Sequence, residues 1–199
     1  MKNLKLLAIL FISSIIVTSC SDNDPDHIHD EEIVTTMKVV LTPETGGDDV
    51  ILKWENIEDH EEEGHEEEGH EEEHGEPEIT GGTLMANTTY SAVITLLNEN
   101  ESPADNITLE VKEEAEEHQF FYTASGITST FTYSDADAND NPLGVEFTVT
   151  TGAIGNGSYT IILKHEPNKF GANVNTGDMT NAGGETDIEA TFPITVEDL

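Results

Sequence analysis

Residues 186–196 read TDIEATFPITV, and this stretch decides the fold class. Apolar side chains occupy every second position, at Ile188, Ala190, Phe192, Ile194 and Val196. Mostly polar residues alternate with them. A period of two is typical of a β-strand with one buried face and one solvated face. The sequence therefore predicts a long strand here, with these five residues on one face.

Similar segments precede this strand at short spacing. β-branched and apolar residues are concentrated in 33–41, 50–54, 88–97, 120–124, 127–133, 145–151 and 159–164. Turn-forming Gly, Asn, Asp or Ser residues lie between many of them, as at 44–49, 125–126 and 152–158. The first two segments form a predicted hairpin. About eight strands joined in this way predict an all-β protein, an antiparallel, immunoglobulin-like β-sandwich.

One segment has mixed signals. Residues 107–111 alternate like a strand, but 112–119 is rich in Glu and includes Ala, and Pro103 stands ahead of it as a helix start. Because helix formers dominate the second half, the sequence predicts one short helix over 104–118.

Composition excludes several classes of protein. The 199 residues carry 42 acidic and 7 basic side chains, a formal net charge of −35. Nucleic acid is excluded as a partner because a phosphate backbone requires a basic surface. A single cysteine excludes a disulfide framework. The sequence contains no nucleophile–base set and no phosphate-binding loop, so we expect no enzyme activity.

The first 32 residues predict export and anchoring. Residues 1–19 combine Lys2 and Lys5 with an apolar run, as a lipoprotein signal peptide does. The run ends in VTSC at 17–20, which resembles a bacterial lipobox and implies lipidation of Cys20; an ordinary signal peptide with an incidental cysteine is the alternative. Residues 20–32 form an acidic tether. It resembles the export signal of Bacteroidota surface lipoproteins, which implies an outer-membrane, lipid-anchored and surface-exposed protein, although a plain solvated tether has the same composition.

An insertion at 58–78 interrupts the predicted sandwich domain of 33–199. It contains thirteen carboxylates and four imidazoles, and a unit HEEE begins at His60, His65 and His70, followed by Gly after the first two and by His74-Gly75 after the third. Neutral imidazole binds Zn, Ni and Cu, and carboxylates supply oxygen ligands. A spacing of five does not place the histidines on one helix face, so we expect a disordered loop that wraps around a divalent metal, with zinc favoured. The predicted ligands are His60, His65, His70, His74, Glu61, Glu66 and Glu71.

Three smaller patterns complete the candidate ligands. His27 and His29 point the same way in an extended chain and are predicted to join the same ion. His118 and His165 are predicted to be surface residues of the sandwich. Residues 135–141 place oxygen ligands at alternate positions, with Glu146 twelfth, but Asp140 replaces the glycine that a calcium loop requires. Calcium is therefore not expected, and a polar hairpin turn is.

Several stretches carry a resemblance to a known group. They are TGGTL at 80–84, NTTY at 87–90, EHQFFY at 117–122, HEPNK at 165–169 and NAGGETD at 181–187. With these, residues 37–199 resemble small Bacteroidota lipoproteins often labelled type 1 periplasmic binding fold proteins. That label implies a two-lobed α/β fold, whereas this sequence lacks the alternating βαβ pattern. The resemblance implies a surface lipoprotein and carries no defined activity.

Together these observations predict a lipid-anchored cell-surface protein that binds Zn, Ni or Cu through its His/Glu-rich loop. Buffering the metal, or delivering it to an outer-membrane importer, is the expected role. The alternative is a structural, adhesion or uptake-accessory β-sandwich in which the acidic tract at 58–78 is only a solvated spacer.

Overall fold

The computed structural model describes residues 33–56 and 76–198, which contain ten β-strands, one α-helix and two 3₁₀ helices. The strands are β1 (Thr36–Pro43), β2 (Val50–Glu55), β3 (Glu78–Thr80), β4 (Gly82–Met85), β5 (Thr89–Leu97), β6 (His118–Ser125), β7 (Ser129–Tyr133), β8 (Glu146–Thr151), β9 (Gly155–His165) and β10 (Glu185–Glu197). Helix α1 spans Ile107–Glu113, and the 3₁₀ helices span Val174–Thr176 and Met179–Asn181.

The strands form two sheets that face each other across one core. The first sheet has the order β3-β2-β1-β5-β8-β7, and the second has the order β4-β10-β9-β6. The paired strands are antiparallel except β4 and β10, which run parallel. Residues from both sheets enclose a common hydrophobic core, including Leu52, Val149, Phe120, Leu163 and Phe192, each fully buried. The predicted all-β sandwich is confirmed, with one parallel pair at its edge.

Strand β10 follows the alternation read from the sequence. Its apolar set at 188, 190, 192, 194 and 196 is buried to 6% exposure or less. The bend between β3 and β4 passes so close to this strand that a Cβ on Gly81 would lie 2.1 Å from the Pro193 carbonyl oxygen. Only glycine fits there, because any side chain would overlap backbone atoms.

Long-range pairing accounts for features that the sequence analysis did not predict and for the end of the predicted helix. The first hairpin is present as β1 and β2, but the segments beside 125–126 and 152–158 belong to different sheets and do not pair with each other. The short strands β3 and β4 were not predicted. Helix α1 is present but ends at Glu113, because 114–117 forms a turn and His118 already pairs with β9. Sheet pairing thus overrides helix propensity after 113.

Helix α1, the end of β5 and the turn 114–117 lie at one end of the sandwich, here called the α1 end. Helix α1 is held to the end of β5 by Leu96 N–H, which donates to Thr108 Oγ1 at 2.7 Å. The turn 114–117 leads from α1 into β6. At the same end of the first sheet, Glu55 pairs with Glu78, and these two residues flank the segment 57–75, which lies outside the described residues.

Candidate metal centre

His118 and His165 are the two histidines of the described residues, and they are partners across β6 and β9. Their rings stack with centroids 4.7 Å apart and planes 21° apart. The prediction that both are surface residues is wrong, since the His118 side chain is fully buried and the His165 side chain is only 13% exposed. His118 lies two positions before the buried Phe120 in β6, and His165 lies two positions after the buried Leu163 in β9. Residues two apart in a strand share a face, so both rings point inward, although their acidic neighbours in the sequence suggested exposure to solvent.

A β-bulge brings a carboxylate to the two rings. The pairing of β10 with β9 shifts between Thr186 and Ile188, which leaves Asp187 as an extra residue. Strict alternation would place Asp187 on the face opposite to the buried Ile188. The bulge instead directs its carboxylate to the rings, and bulges commonly redirect a side chain next to functional sites.

The carboxylate of Asp187 faces a nitrogen of each imidazole. Asp187 Oδ2 is 3.7 Å from His118 Nε2, and Asp187 Oδ1 is 3.8 Å from His165 Nδ1. One donor atom from each of the three residues lies within 4.8 Å of the other two. We call His118, His165 and Asp187 the inner set.

The His118 ring has a defined orientation. Its Nδ1 lies 3.2 Å from the carbonyl oxygen of Glu114, in the turn after α1. A carbonyl only accepts, so Nδ1 carries the hydrogen and donates it. In the neutral ring, Nε2 therefore presents its lone pair toward Asp187. A backbone carbonyl that fixes the tautomer in this way is a usual partner of a metal-binding histidine.

The distances from Asp187 to the two rings are longer than direct hydrogen bonds and close to the donor separation on a small divalent ion. A hydrogen bond between nitrogen and oxygen measures about 2.7–3.2 Å, so 3.7 and 3.8 Å are too long. Two donors on a tetrahedral zinc ion are roughly 3.3–3.5 Å apart, given bond lengths near 2.1 Å. One donor atom from each residue lies within 4.8 Å of the other two, so the side chains would move closer together to bind one ion.

A second donor set shares His165. Its Nε2 lies 4.0 Å from Glu117 Oε2, and Glu166 completes a group whose donor atoms also lie within 4.8 Å of one another. Glu166 N–H donates to the Glu117 carbonyl at 2.6 Å, which fixes the two segments side by side. We call Glu117, His165 and Glu166 the outer set, because the Glu117 side chain is 46% exposed and Glu166 is exposed.

A different polar cluster lies in residues 135–141, the loop whose spacing resembles a calcium site. Lys169 Nζ donates to Asp137 Oδ2 at 3.0 Å and also to the Ala115 carbonyl, with both side chains 3% exposed or less. Asp137 Oδ1 accepts from the N–H groups of Asn139 and Asn141 at 2.8 and 2.9 Å. The Lys169 ammonium group thus lies against the Asp137 carboxylate in this loop. We call Lys169 and Asp137 the ion-pair cluster.

Burial shifts the pKa values of both partners. Burial lowers the pKa of Lys169 below its ordinary value, although Asp137 opposes that change. For Asp137, burial works to raise the pKa, but hydrogen bonds from Asn141 and Lys169 outweigh it and hold the pKa below its ordinary value.

The metal ligands predicted from the sequence lie outside the described residues. These are His60, His65, His70, His74, Glu61, Glu66 and Glu71 in the tract, and His27 and His29 in the tether; the lipidation residue Cys20 also lies there. The inner set was missed because its members are 47 (165 − 118) and 22 (187 − 165) positions apart. The sequence did contain one indication: His118 and His165 are each two positions from an apolar strand residue, Phe120 and Leu163, which predicts rings on the buried face.

Comparison with known proteins gave no match: no family model, curated protein or solved structure matches the chain. Within residues 33–56 and 76–198, no helix is long and apolar enough to cross a membrane.

Proposed function

We propose that this protein binds a divalent transition metal, with zinc favoured, and that the inner set is its principal site. One observation carries the proposal: two stacked imidazoles and one carboxylate converge within 4.8 Å at the α1 end of the sandwich. Nitrogen donors select Zn, Ni and Cu over Ca and Mg, which prefer oxygen.

The burial of the inner set supports strong binding. The side chains of His118, Asp187 and His165 are 0%, 9% and 13% exposed, and strand pairing holds their backbones before any ion arrives. Pre-ordered donors lose little conformational entropy on binding, whereas a repetitive His/Glu segment must be ordered by the ion. Three protein donors also leave one tetrahedral position open to water or to a ligand from another protein. That open position suits a protein that passes its metal on.

The cellular role proposed is metal buffering at the cell surface, or delivery to an outer-membrane importer. The support comes from the sequence: the lipobox-like VTSC at 17–20, the acidic tether after Cys20, and the His/Glu tract as a second, weaker reservoir. Cys20→Ala should release the protein from the membrane fraction. Retention of that variant after a carbonate wash would contradict the anchor.

The decisive experiment separates the inner set from the tract. In the full mature chain, Gln replaces His27, His29, His60, His65, His70 and His74, which leaves His118 and His165 as the remaining histidines. We call this the six-Gln chain. Calorimetric titration with Zn²⁺ should still show one site, and Asp187→Asn in that chain should weaken it by more than about 100-fold, beyond the loss typical of outer-shell partners.

Asp187→Asn preserves the size of the side chain, and its far-ultraviolet spectrum serves as the control for folding. If the six-Gln chain binds no Zn²⁺ while the unmodified chain does, the metal belongs to the tract. If neither binds Zn²⁺, the protein is a structural or adhesion module with an acidic spacer.

A further inference from the structure

His165 belongs to both donor sets, with one ring nitrogen facing each. Nδ1 is 3.8 Å from Asp187 in the inner set, and Nε2 is 4.0 Å from Glu117 in the outer set. A neutral imidazole has one lone pair, on whichever nitrogen lacks the hydrogen. His165 can therefore bind an ion in only one set at a time.

From this geometry we propose a two-position relay: a divalent ion first binds the outer set and then moves across the His165 ring to the inner set. The inference rests on the proposed function and adds the route by which the ion arrives. It also predicts one tightly bound ion per folded domain rather than two.

Exposure gives the direction of the relay. In the outer set Glu166 is exposed and the Glu117 side chain is 46% exposed, although the Glu117 Oε2 atom that faces His165 is buried. The inner set lies behind it, with His118 fully buried. A hydrated cation meets the outer carboxylates first, and negative charge at the entrance raises its rate of association.

The hydrogen on His165 has a carboxylate partner in both states. With the ion in the outer set on Nε2, the Nδ1 hydrogen faces Asp187. When the ion binds Nδ1, that hydrogen leaves to solvent and another is taken up at Nε2, where it faces Glu117. The ring stays neutral, and no proton is gained or lost overall. In each state the metal-bound imidazole keeps the carboxylate partner that metal-binding histidines usually have.

Stopped-flow mixing of the six-Gln chain with Zn²⁺ and a fluorescent zinc indicator tests the relay. The outer-set variant is Glu117→Gln with Glu166→Gln. Its matched control is Glu113→Gln with Glu101→Gln, which removes the same charge from exposed residues near the same end. We expect the outer-set variant to bind Zn²⁺ about tenfold more slowly than the control, a loss of the size that local charge produces in association rates.

A second variant separates the two positions. Asp187→Asn should keep the fast association step, because the outer set is intact, while losing tight binding. The relay is overturned if the outer-set variant associates as fast as its control, if Asp187→Asn slows association equally, or if the six-Gln chain binds two Zn²⁺ ions tightly. Each of those results leaves metal binding itself in place. A six-Gln chain without any Zn²⁺ binding instead removes the proposed function on which the relay rests.

Discussion

Two buried polar clusters are attached to the same turn, 114–117, and they balance the charge of a carboxylate in different ways. In the ion-pair cluster, Lys169 places its ammonium 3.0 Å from Asp137 and donates to the Ala115 carbonyl. In the inner set, Asp187 lies 3.7 and 3.8 Å from two imidazoles, and His118 donates to the Glu114 carbonyl.

The comparison shows which cluster holds a structural cation and which suits a removable one. A lysine ammonium is covalently part of the chain, so the ion-pair cluster is complete when the protein folds. The inner set consists of two imidazoles and a carboxylate, so the cation proposed for it is a bound ion that can leave. Four predictions test this difference.

The largest effect is expected from removing the built-in cation. Lys169→Met leaves Asp137 buried without its ammonium partner, which should destabilise the protein by about 3–5 kcal/mol. Urea unfolding measures this loss. Lys112→Met is the matched control, since Lys112 pairs with Glu146 at an exposed position and should contribute less than about 1 kcal/mol. Equal losses in the two variants would show that Lys169 has no special structural role.

The next effect concerns the removable cation. Zn²⁺ at 100 times its dissociation constant should stabilise the six-Gln chain by about 2.7 kcal/mol, which raises the melting temperature by roughly 5–10 °C for a domain of this size. Asp187→Asn should melt at the same temperature with and without Zn²⁺. Lys112→Met should keep the full zinc-dependent rise, and differential scanning calorimetry measures both.

A smaller effect is expected at Gly184, where the loop backbone lies close to the backbone of His165 in the inner set. Gly183 and Gly184 both have positive φ, at 59° and 69°. A Cβ on Gly184 would lie 2.3 Å from the His165 carbonyl oxygen, whereas a Cβ on Gly183 would meet nothing within 4 Å. Each Gly→Ala change should cost about 1 kcal/mol through left-handed backbone. Gly184→Ala should additionally weaken Zn²⁺ binding, and equal zinc affinities in the two variants would contradict this contact.

The smallest effect is expected in acid. The folded-state pKa of Asp137 lies below its ordinary value, so its ionised form contributes stability above about pH 3.9, the unfolded pKa. That contribution is lost as pH falls through the lower, folded pKa. Asp137→Asn should therefore flatten the acid end of a stability–pH curve measured by urea unfolding. A curve with unchanged slope below about pH 4 would show that Asp137 contributes nothing there.

The sequence predicted the strands better than it predicted the site. Alternation in 186–196 identified the five buried residues of β10, because side-chain period is a local property. The same alternation assigned Asp187 to the solvent face. The β-bulge that redirects it cannot be recognised from the alternation of apolar and polar residues. Pairing of His118 with His165 depends on which strands become neighbours, and that is decided by the whole core rather than by any one segment. The metal site was predicted in the His/Glu tract because its candidate donors are close together in the sequence.

The order of the donor strands has a consequence for the timing of synthesis. The inner set joins β6, β9 and β10, so the ribosome must add 69 further residues (187 − 118) after His118 before Asp187 exists. At about 5–20 residues per second, this takes roughly 3–14 s. A nascent chain or a fragment that stops before 185 has both imidazoles but lacks the carboxylate that joins them. The proposed metal binding by the inner set therefore requires the finished domain, whereas the repeat at 60–74 has all its candidate donors as soon as it is translated.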